Sequence, residues 1–259
     1  MLRADDINYE RKETNFQLKN IDLNIQEGEI VSLIGPNGSG KSTLLRVIAN
    51  LIKPNSGAVH VDGQQVDKMK GSELAKILAM LPQMNNHMLD LTVRELVEFG
   101  RHPHSGKKMT LTQDDQEIID WALEVTGLSH LQNRLLTSMS GGERQRAWIA
   151  VTVAQHPKVL LLDEPTTYLD ISHQLEVMEL VKELNAKYNM TVIMVLHDIN
   201  QAAQYSDRII VLKRGTLHYD GLPHCVLCKE MFQTIFEIDA EIHMRGNRPT
   251  FTPIKIHKH

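Results

Sequence analysis

The stretch Gly35-Pro36-Asn37-Gly38-Ser39-Gly40-Lys41-Ser42-Thr43 satisfies every fixed position of the pattern G-x-x-x-x-G-K-[ST]. Before it stands Ile30 to Ile34, a short apolar run of the kind that forms a strand buried on both faces. After it, Ser42 to Ile52 carries apolar residues at helical spacing. A glycine-rich loop between a buried strand and a helix is the context in which this pattern holds phosphate. The glycines let the loop wrap an oxyanion without Cβ clashes. Backbone N–H groups point inward, and the helix starting near Lys41 adds its positive end. Lys41 brings a mobile cation to the β- and γ-phosphates of a triphosphate, and the Ser42 hydroxyl is a ligand for Mg²⁺.

Working outward, Val159 to Leu162 is an apolar strand that delivers Asp163-Glu164 at its C-terminal end, where parallel α/β sheets place their ligands. Asp163 is expected to hold Mg²⁺ through its water shell, and Glu164 to act as general base on an attacking water. Thr191 to Leu196 reads as a further strand, and the segment Ile171 to Tyr188 as an amphipathic helix. Upstream, Ile21, Leu23 and Ile25 alternate as in a strand and Glu27-Gly28 turns the chain. Lys53-Pro54-Asn55-Ser56-Gly57 breaks the helix that follows the phosphate loop, and Ala58 to Asp62 returns to strand. The middle, from Leu91 to about Gln155, is mainly helical. Thr92 caps one helix with Glu95 three residues on, and Thr112 to Val125 is a second with acidic first turns. The order of strands and crossover helices is that of a parallel-sheet domain carrying a helical insertion.

The composition narrows the function. The 259 residues, 42% apolar and 23% charged, suit one large α/β domain or a domain with a sizeable insertion. A net charge of −4 lacks the basic footprint of a nucleic-acid binder, so no nucleic acid is expected as partner. Met1 to Asp6 lacks a signal-peptide core, and no run approaches the roughly 20 apolar residues that span a bilayer. The chain is expected to be soluble and cytoplasmic, reaching any membrane by docking. Cys225 and Cys228 form a lone C-x-x-C, readable as a redox pair, as half a zinc site, or as two partly buried residues on one C-terminal helix. The histidines, His257 and His259 among them, show no metal-ligand spacing and read as a solvated tail.

Ser140-Gly141-Gly142-Glu143-Arg144-Gln145-Arg146 stands shortly before Asp163. A serine and two glycines ahead of a helix make a second anion-binding N-terminus. The stretch resembles the LSGGQ signature of ABC ATPases, with Met139 and Glu143 in place of Leu and Gln. The resemblance implies that two cassettes pack head to tail, so that Ser140, Gly141, Gly142 and Glu143 close over the ATP held by the other chain. Further positions match the family in order. Gln83, in Leu81-Pro82-Gln83, resembles the Q-loop glutamine that meets Mg²⁺. Leu169-Asp170 resembles the D-loop, with Tyr168 larger than the small residue usual there. His197 resembles the switch histidine at the γ-phosphate, and Tyr9 the aromatic that stacks on adenine. The likeness runs from about Leu2 to Leu222. It implies an α/β fold: a P-loop NTPase, RecA-like core with a mixed sheet, an N-terminal antiparallel β part and an inserted α-helical subdomain. On that plan 1–88 and 156–222 form the core, 89–155 the helical subdomain and 223–259 a short C-terminal extension of one nucleotide-binding domain.

Within the family, the short gap between Gln83 and Ser140 and the lack of sustained heptads exclude the coiled-coil DNA-maintenance ATPases. A single cassette excludes the two-cassette translation factors. Thr92 to Pro103, Arg144 to Ala150, Leu169 to Gln174 and Leu196 to Ala202 resemble cassettes that import ferric siderophores, haem and cobalamin, the ferrichrome type most closely. The implied assembly is a homodimer of cassettes on two integral-membrane permease subunits, served indirectly by a substrate-binding protein, at the cytoplasmic face of the cell membrane. The alternatives are a haem, cobalamin, zinc or manganese importer cassette, or a non-transport ABC ATPase. The cassette never touches the cargo, so its substrate is read from family likeness alone.

Overall fold

The structure is a computed structural model that describes residues 1–11, 16–81, 90–105 and 110–257. Its strands are β1 (Leu2–Arg11), β2 (Phe16–Ile25), β3 (Ile30–Ile34), β4 (Ser56–Val61), β5 (Gln64–Gln65), β6 (Leu78–Leu81), β7 (Val159–Asp163), β8 (Thr191–Val195), β9 (Arg208–Lys213), β10 (Thr216–Gly221), β11 (Ile238–Arg245) and β12 (Arg248–Ile256). Its α-helices are α1 (Lys41–Ile48), α2 (Gly71–Leu74), α3 (Val93–Glu98), α4 (His102–Ser105), α5 (Gln113–Val125), α6 (Gly141–Ala154), α7 (Ile171–Tyr188), α8 (Ile199–Tyr205), α9 (Pro223–Val226) and α10 (Lys229–Met231). The chain divides into two compact units, one of Met1–Lys68 with Thr191–His259 and one of Met69–Met190.

In the first unit β3 lies between β8 and β9, parallel to both, with Leu33 opposite Val195 and Ile34 opposite Val211. Every residue of β3 and β8 is buried, which is why both strands read as mainly apolar runs rather than alternations. The one polar side chain within β3, Ser32, is satisfied by the Ser206 hydroxyl at 2.6 Å. β10 adds antiparallel to β9, making the order β10-β9-β3-β8 a mixed arrangement. A separate antiparallel sheet, β2-β1-β4-β5, buries Leu18, Ile21, Leu23 and Ile25 from one side of β2.

The C-terminal residues are more ordered than a solvated tail. β11 and β12 pair as a hairpin. Phe251 stacks on Phe232 with ring centroids 4.5 Å apart, and Asn200 of α8 exchanges hydrogen bonds with the Phe251 backbone. His257 lies 2.8 Å from the Asp239 carboxylate, while His259 falls outside the described residues. Cys225 and Cys228 do not share one helix: Cys225 is in α9, Cys228 caps α10, and both thiols are free.

In the second unit β6 and β7 run parallel, Leu78 opposite Val159. The helices α3, α5 and α6 bury Val93, Leu96, Ile119, Leu123, Ala147, Ile149 and Val153 among themselves. Each of the three opens on a capping box, Thr92 with Glu95, Thr112 with Asp115 and Ser140 with Glu143. A buried ion pair braces this bundle. Arg101 donates to Asp115 at 2.8 Å and to the Ala154 carbonyl at the end of α6 at 2.7 Å. Burial raises the Asp115 pKa, yet the N–H and hydroxyl of Thr112 and the Arg101 guanidinium outweigh it and hold the carboxyl at about 2.

Candidate nucleotide site

The phosphate loop leaves the buried end of β3. Gly35 has φ +144°, and a Cβ there would come within 2.0 Å of the Leu212 carbonyl. Gly40, the cap of α1, has φ +105°, and a Cβ on it would lie 2.7 Å from Leu18 Cδ2 and 2.8 Å from Phe16 Cζ. Only glycine meets both demands. Lys41 is 6% exposed and curls its ammonium back over the loop, donating to the carbonyls of Gly35 at 2.8 Å and Pro36 at 3.0 Å. Gly215 donates to the Ser39 carbonyl and accepts from Lys19. A Cβ on Gly215 would lie 1.7 Å from the Gln17 carbonyl. Phe16, Leu18 and Gly215 therefore shape the loop from far along the chain, and no local pattern marks them.

His197 follows β8, the neighbour of β3, and the Leu196 N–H donates to the Leu33 carbonyl at 3.2 Å. The histidine and the loop thus leave adjacent parallel strands at the same end. His197 is exposed, and Asp198 beside it caps α8 by accepting from the Gln201 N–H at 3.0 Å. Tyr9 lines a shallow cavity of about 380 Å³ with Asn8, Gln17 and Asn55, and Pro36 to Ser39 line another of about 300 Å³ with Lys213, Arg214 and Phe236. What connects them is Leu18, the cross-strand partner of Tyr9, which packs on Gly40.

In the other unit, β7 carries Asp163 to its end with 2% exposure. Glu164, next in line, adopts φ +55°, a left-handed conformation that a non-glycine residue takes only where its surroundings impose it. Its carboxylate accepts from the Thr167 hydroxyl at 3.2 Å. Ser140 caps α6: its hydroxyl accepts from the Glu143 N–H, and the Glu143 carboxylate accepts from the Ser140 N–H at 2.7 Å. That bond, chiefly, holds the Glu143 carboxyl below its ordinary range. Gln145, on the same helix, donates to the Pro165 carbonyl at 2.8 Å and so ties α6 to the loop that follows Glu164. Asp170 caps α7, accepting from the His173 N–H at 2.9 Å. Gln83 lies outside the described residues.

Comparison with known proteins decides the family. The model of the ABC transporter family matches residues 18–167. The chain belongs to the ABC transporter ATP-binding family. Over 258 residues the cassette is 60% identical to the petrobactin import ATP-binding protein FpuC of Bacillus anthracis, covering 100% of this chain and 94% of that one. It is 43% identical to the iron(3+)-hydroxamate import ATP-binding protein FhuC of Bacillus subtilis, over 90% of this chain and 87% of that one. Among solved structures it resembles a dimeric ATP-binding cassette in a post-hydrolysis state bound to ADP and Pi. The TM-score is 0.74 at 33% identity, with 86% of this chain and 98% of that chain covered. As an ABC ATPase this cassette binds and hydrolyses ATP. The hydroxyl of Ser42 and the carboxylate of Asp163 each offer hard oxygen atoms, the kind of donor that suits Mg²⁺. Among the described residues, no helix is long and apolar enough to cross a membrane.

Proposed function

We propose that this cassette powers uptake of an iron(III)-siderophore, working as one half of a head-to-tail pair that docks on two separate permease subunits at the inner face of the membrane. The observation that carries the substrate class is the 60% identity, along essentially the full length of both chains, to a petrobactin import ATP-binding protein. Haem, cobalamin and metal-ion importers remain the alternative cargoes within the same engine.

In this reading the Gly35–Thr43 loop and Lys41 hold the triphosphate of ATP. Ser42 and Asp163, with Gln83, hold Mg²⁺, which when bound screens phosphate charge and orients the γ-phosphoryl group. Glu164 takes the proton of the attacking water, and His197 steadies the γ-phosphate. Ser140, Gly141, Gly142 and Glu143 of one chain close over the nucleotide of the other. ATP must favour the closed pair more than ADP does, since only differential binding moves such an equilibrium. Loss of the γ-phosphate reopens the pair, and the helical block up to Arg101 passes the motion to the permease. Glu164→Gln keeps the shape but cannot accept a proton. It should abolish turnover, keep ATP binding, and accumulate an ATP-dependent dimer by gel filtration. Near-wild-type hydrolysis in that variant defeats the assignment. The substrate class is checked by radiolabelled ferric-siderophore uptake in a strain lacking the chain. Uptake should be restored by the wild type and not by Glu164→Gln, and undiminished uptake in the deleted strain would refute siderophore import.

A further inference from the structure

Gly142 has no left-handed φ, so its demand for glycine is one of space. A Cβ on Gly142 would stand 2.1 Å from Cδ2 and 2.4 Å from Cγ of His173, a residue of α7. The imidazole that occupies this space is itself held. Its Nδ1 lies 2.7 Å from Asp170 Oδ1, the same oxygen that accepts from the His173 N–H and the Ser172 hydroxyl. A carboxylate only accepts, so Nδ1 carries the proton and donates. Two more contacts bind the same pair of helices and their loops. Gln145 reaches the Pro165 carbonyl, and Arg146 pairs with Glu176. The ring is thus a wedge with the signature turn on one side and the Asp170 turn on the other.

We propose that His173 is a positioning residue for ATP hydrolysis: its imidazole sets the Ser140-Gly141-Gly142 turn against the Asp170 turn, so that both meet the partner cassette as one rigid surface. The inference rests on the reading that the signature acts on the other chain's nucleotide. The physical reason is preorganisation. A turn that stabilises phosphate charge contributes only if it is already in place when the two cassettes close, and the His173 ring is the group that stands between Gly142 and Asp170.

Removing the ring in His173→Ala should lower kcat by about 10- to 100-fold, the scale of a small misplacement near the reacting atoms. It should weaken ATP-driven dimerisation in the Glu164→Gln background and leave ATP affinity of the isolated chain at the wild-type value. His173→Asn, whose amide can still donate to Asp170, should recover most of the kcat. Gly142→Ala should lower the melting temperature, and adding His173→Ala should restore it, because the ring that the new methyl strikes is gone. The inference is overturned by wild-type kcat in His173→Ala, or by ATP affinity that falls in step with kcat. It is equally overturned if His173→Asn is no better than alanine, or if the Gly142→Ala melting loss ignores residue 173. Ser140→Arg separates this from the in-trans reading. If Ser140→Arg hydrolyses like the wild type, that reading falls. If Ser140→Arg fails to dimerise while His173→Ala dimerises normally, only the role of His173 falls.

Discussion

Two helices of this cassette begin on glycine-rich turns, and they are finished in opposite ways. α1 starts from Gly40, at φ +105° and with no side-chain cap, and the buried Lys41 folds its ammonium back over the loop. α6 starts from Ser140, whose hydroxyl and N–H are both engaged by Glu143 in a closed capping box. The glycines differ too. Gly40 is demanded by its backbone conformation and by Phe16 and Leu18, whereas Gly142 is demanded only by the His173 ring. The first turn leaves the N–H groups at the start of α1 without a capping side chain, the arrangement that suits an anion such as phosphate. The second is capped within its own chain by Ser140 and Glu143.

The sharpest way to break the comparison is a pair of variants. Ser140→Arg should abolish steady-state hydrolysis while ATP binding to the single chain, followed by calorimetry, stays intact. Lys41→Ala should weaken that binding itself by about 2–5 kcal/mol, the range for losing one partner of a buried charged contact. Equal affinity in wild type and Lys41→Ala, or full activity in Ser140→Arg, would erase the distinction between the two turns. Next in size is the brace at the far end of α6. Arg101→Ala strands the Asp115 carboxylate inside the bundle and should cost about 3–5 kcal/mol in denaturant unfolding. The sign with pH follows from the depressed pKa. The Asp115 contribution is whole above its ordinary value of 3.8 and is lost as pH falls toward about 2. An Arg101→Ala chain should accordingly show a smaller acid-side loss, the share left being that of the Thr112 N–H and hydroxyl, which lower the carboxyl pKa most. If it unfolds along the wild-type pH curve, the pair does not brace α6.

The smallest effect sharpens the comparison at the cap. Ser140→Ala removes the hydroxyl that accepts from the Glu143 N–H and should cost about 0.5–2 kcal/mol of stability. Gly40→Ala, by contrast, should disturb ATP binding more than a cap mutation can, since no cap exists there to lose. The Glu143 carboxyl, held down chiefly by the Ser140 N–H, stabilises the turn above its ordinary value of 4.5 and releases it as pH falls through its lowered value. Protection of the amides at the start of α6, exchange being corrected for its intrinsic pH dependence, should therefore fall as pH drops below 4.5. No change there would show that the box contributes nothing.

Much of this was legible from local text. Ile30–Ile34 and Ile171–Tyr188 form where their apolar patterns place them, and Thr92 caps α3 with Glu95 as its spacing requires. The phosphate loop, Asp163-Glu164 and the signature are contiguous motifs, so each is readable whole in the sequence. The C-terminal hairpin is not legible in the sequence because Pro249 and Pro253 interrupt β12, and proline argues against a strand. Tyr9 could be matched to a family position, but its link to the loop through Leu18 and Gly40 shows only in three dimensions.

By itself, then, the amino-acid sequence determined the chemistry that adjacent residues can carry: a glycine-rich turn with its lysine, a carboxylate pair at a strand end, a serine ahead of a helix. These need only the chain's own local geometry, because the groups involved lie within a few residues of one another. The tertiary structure alone decided why Gly40, Gly142 and Gly215 can be nothing else. Each is pressed by a group that the chain brings back from a distant position, Phe16 and Leu18, the His173 ring, and the Gln17 carbonyl. Steric exclusion acts between neighbours in space, and nothing in the spacing of letters records which neighbours those will be.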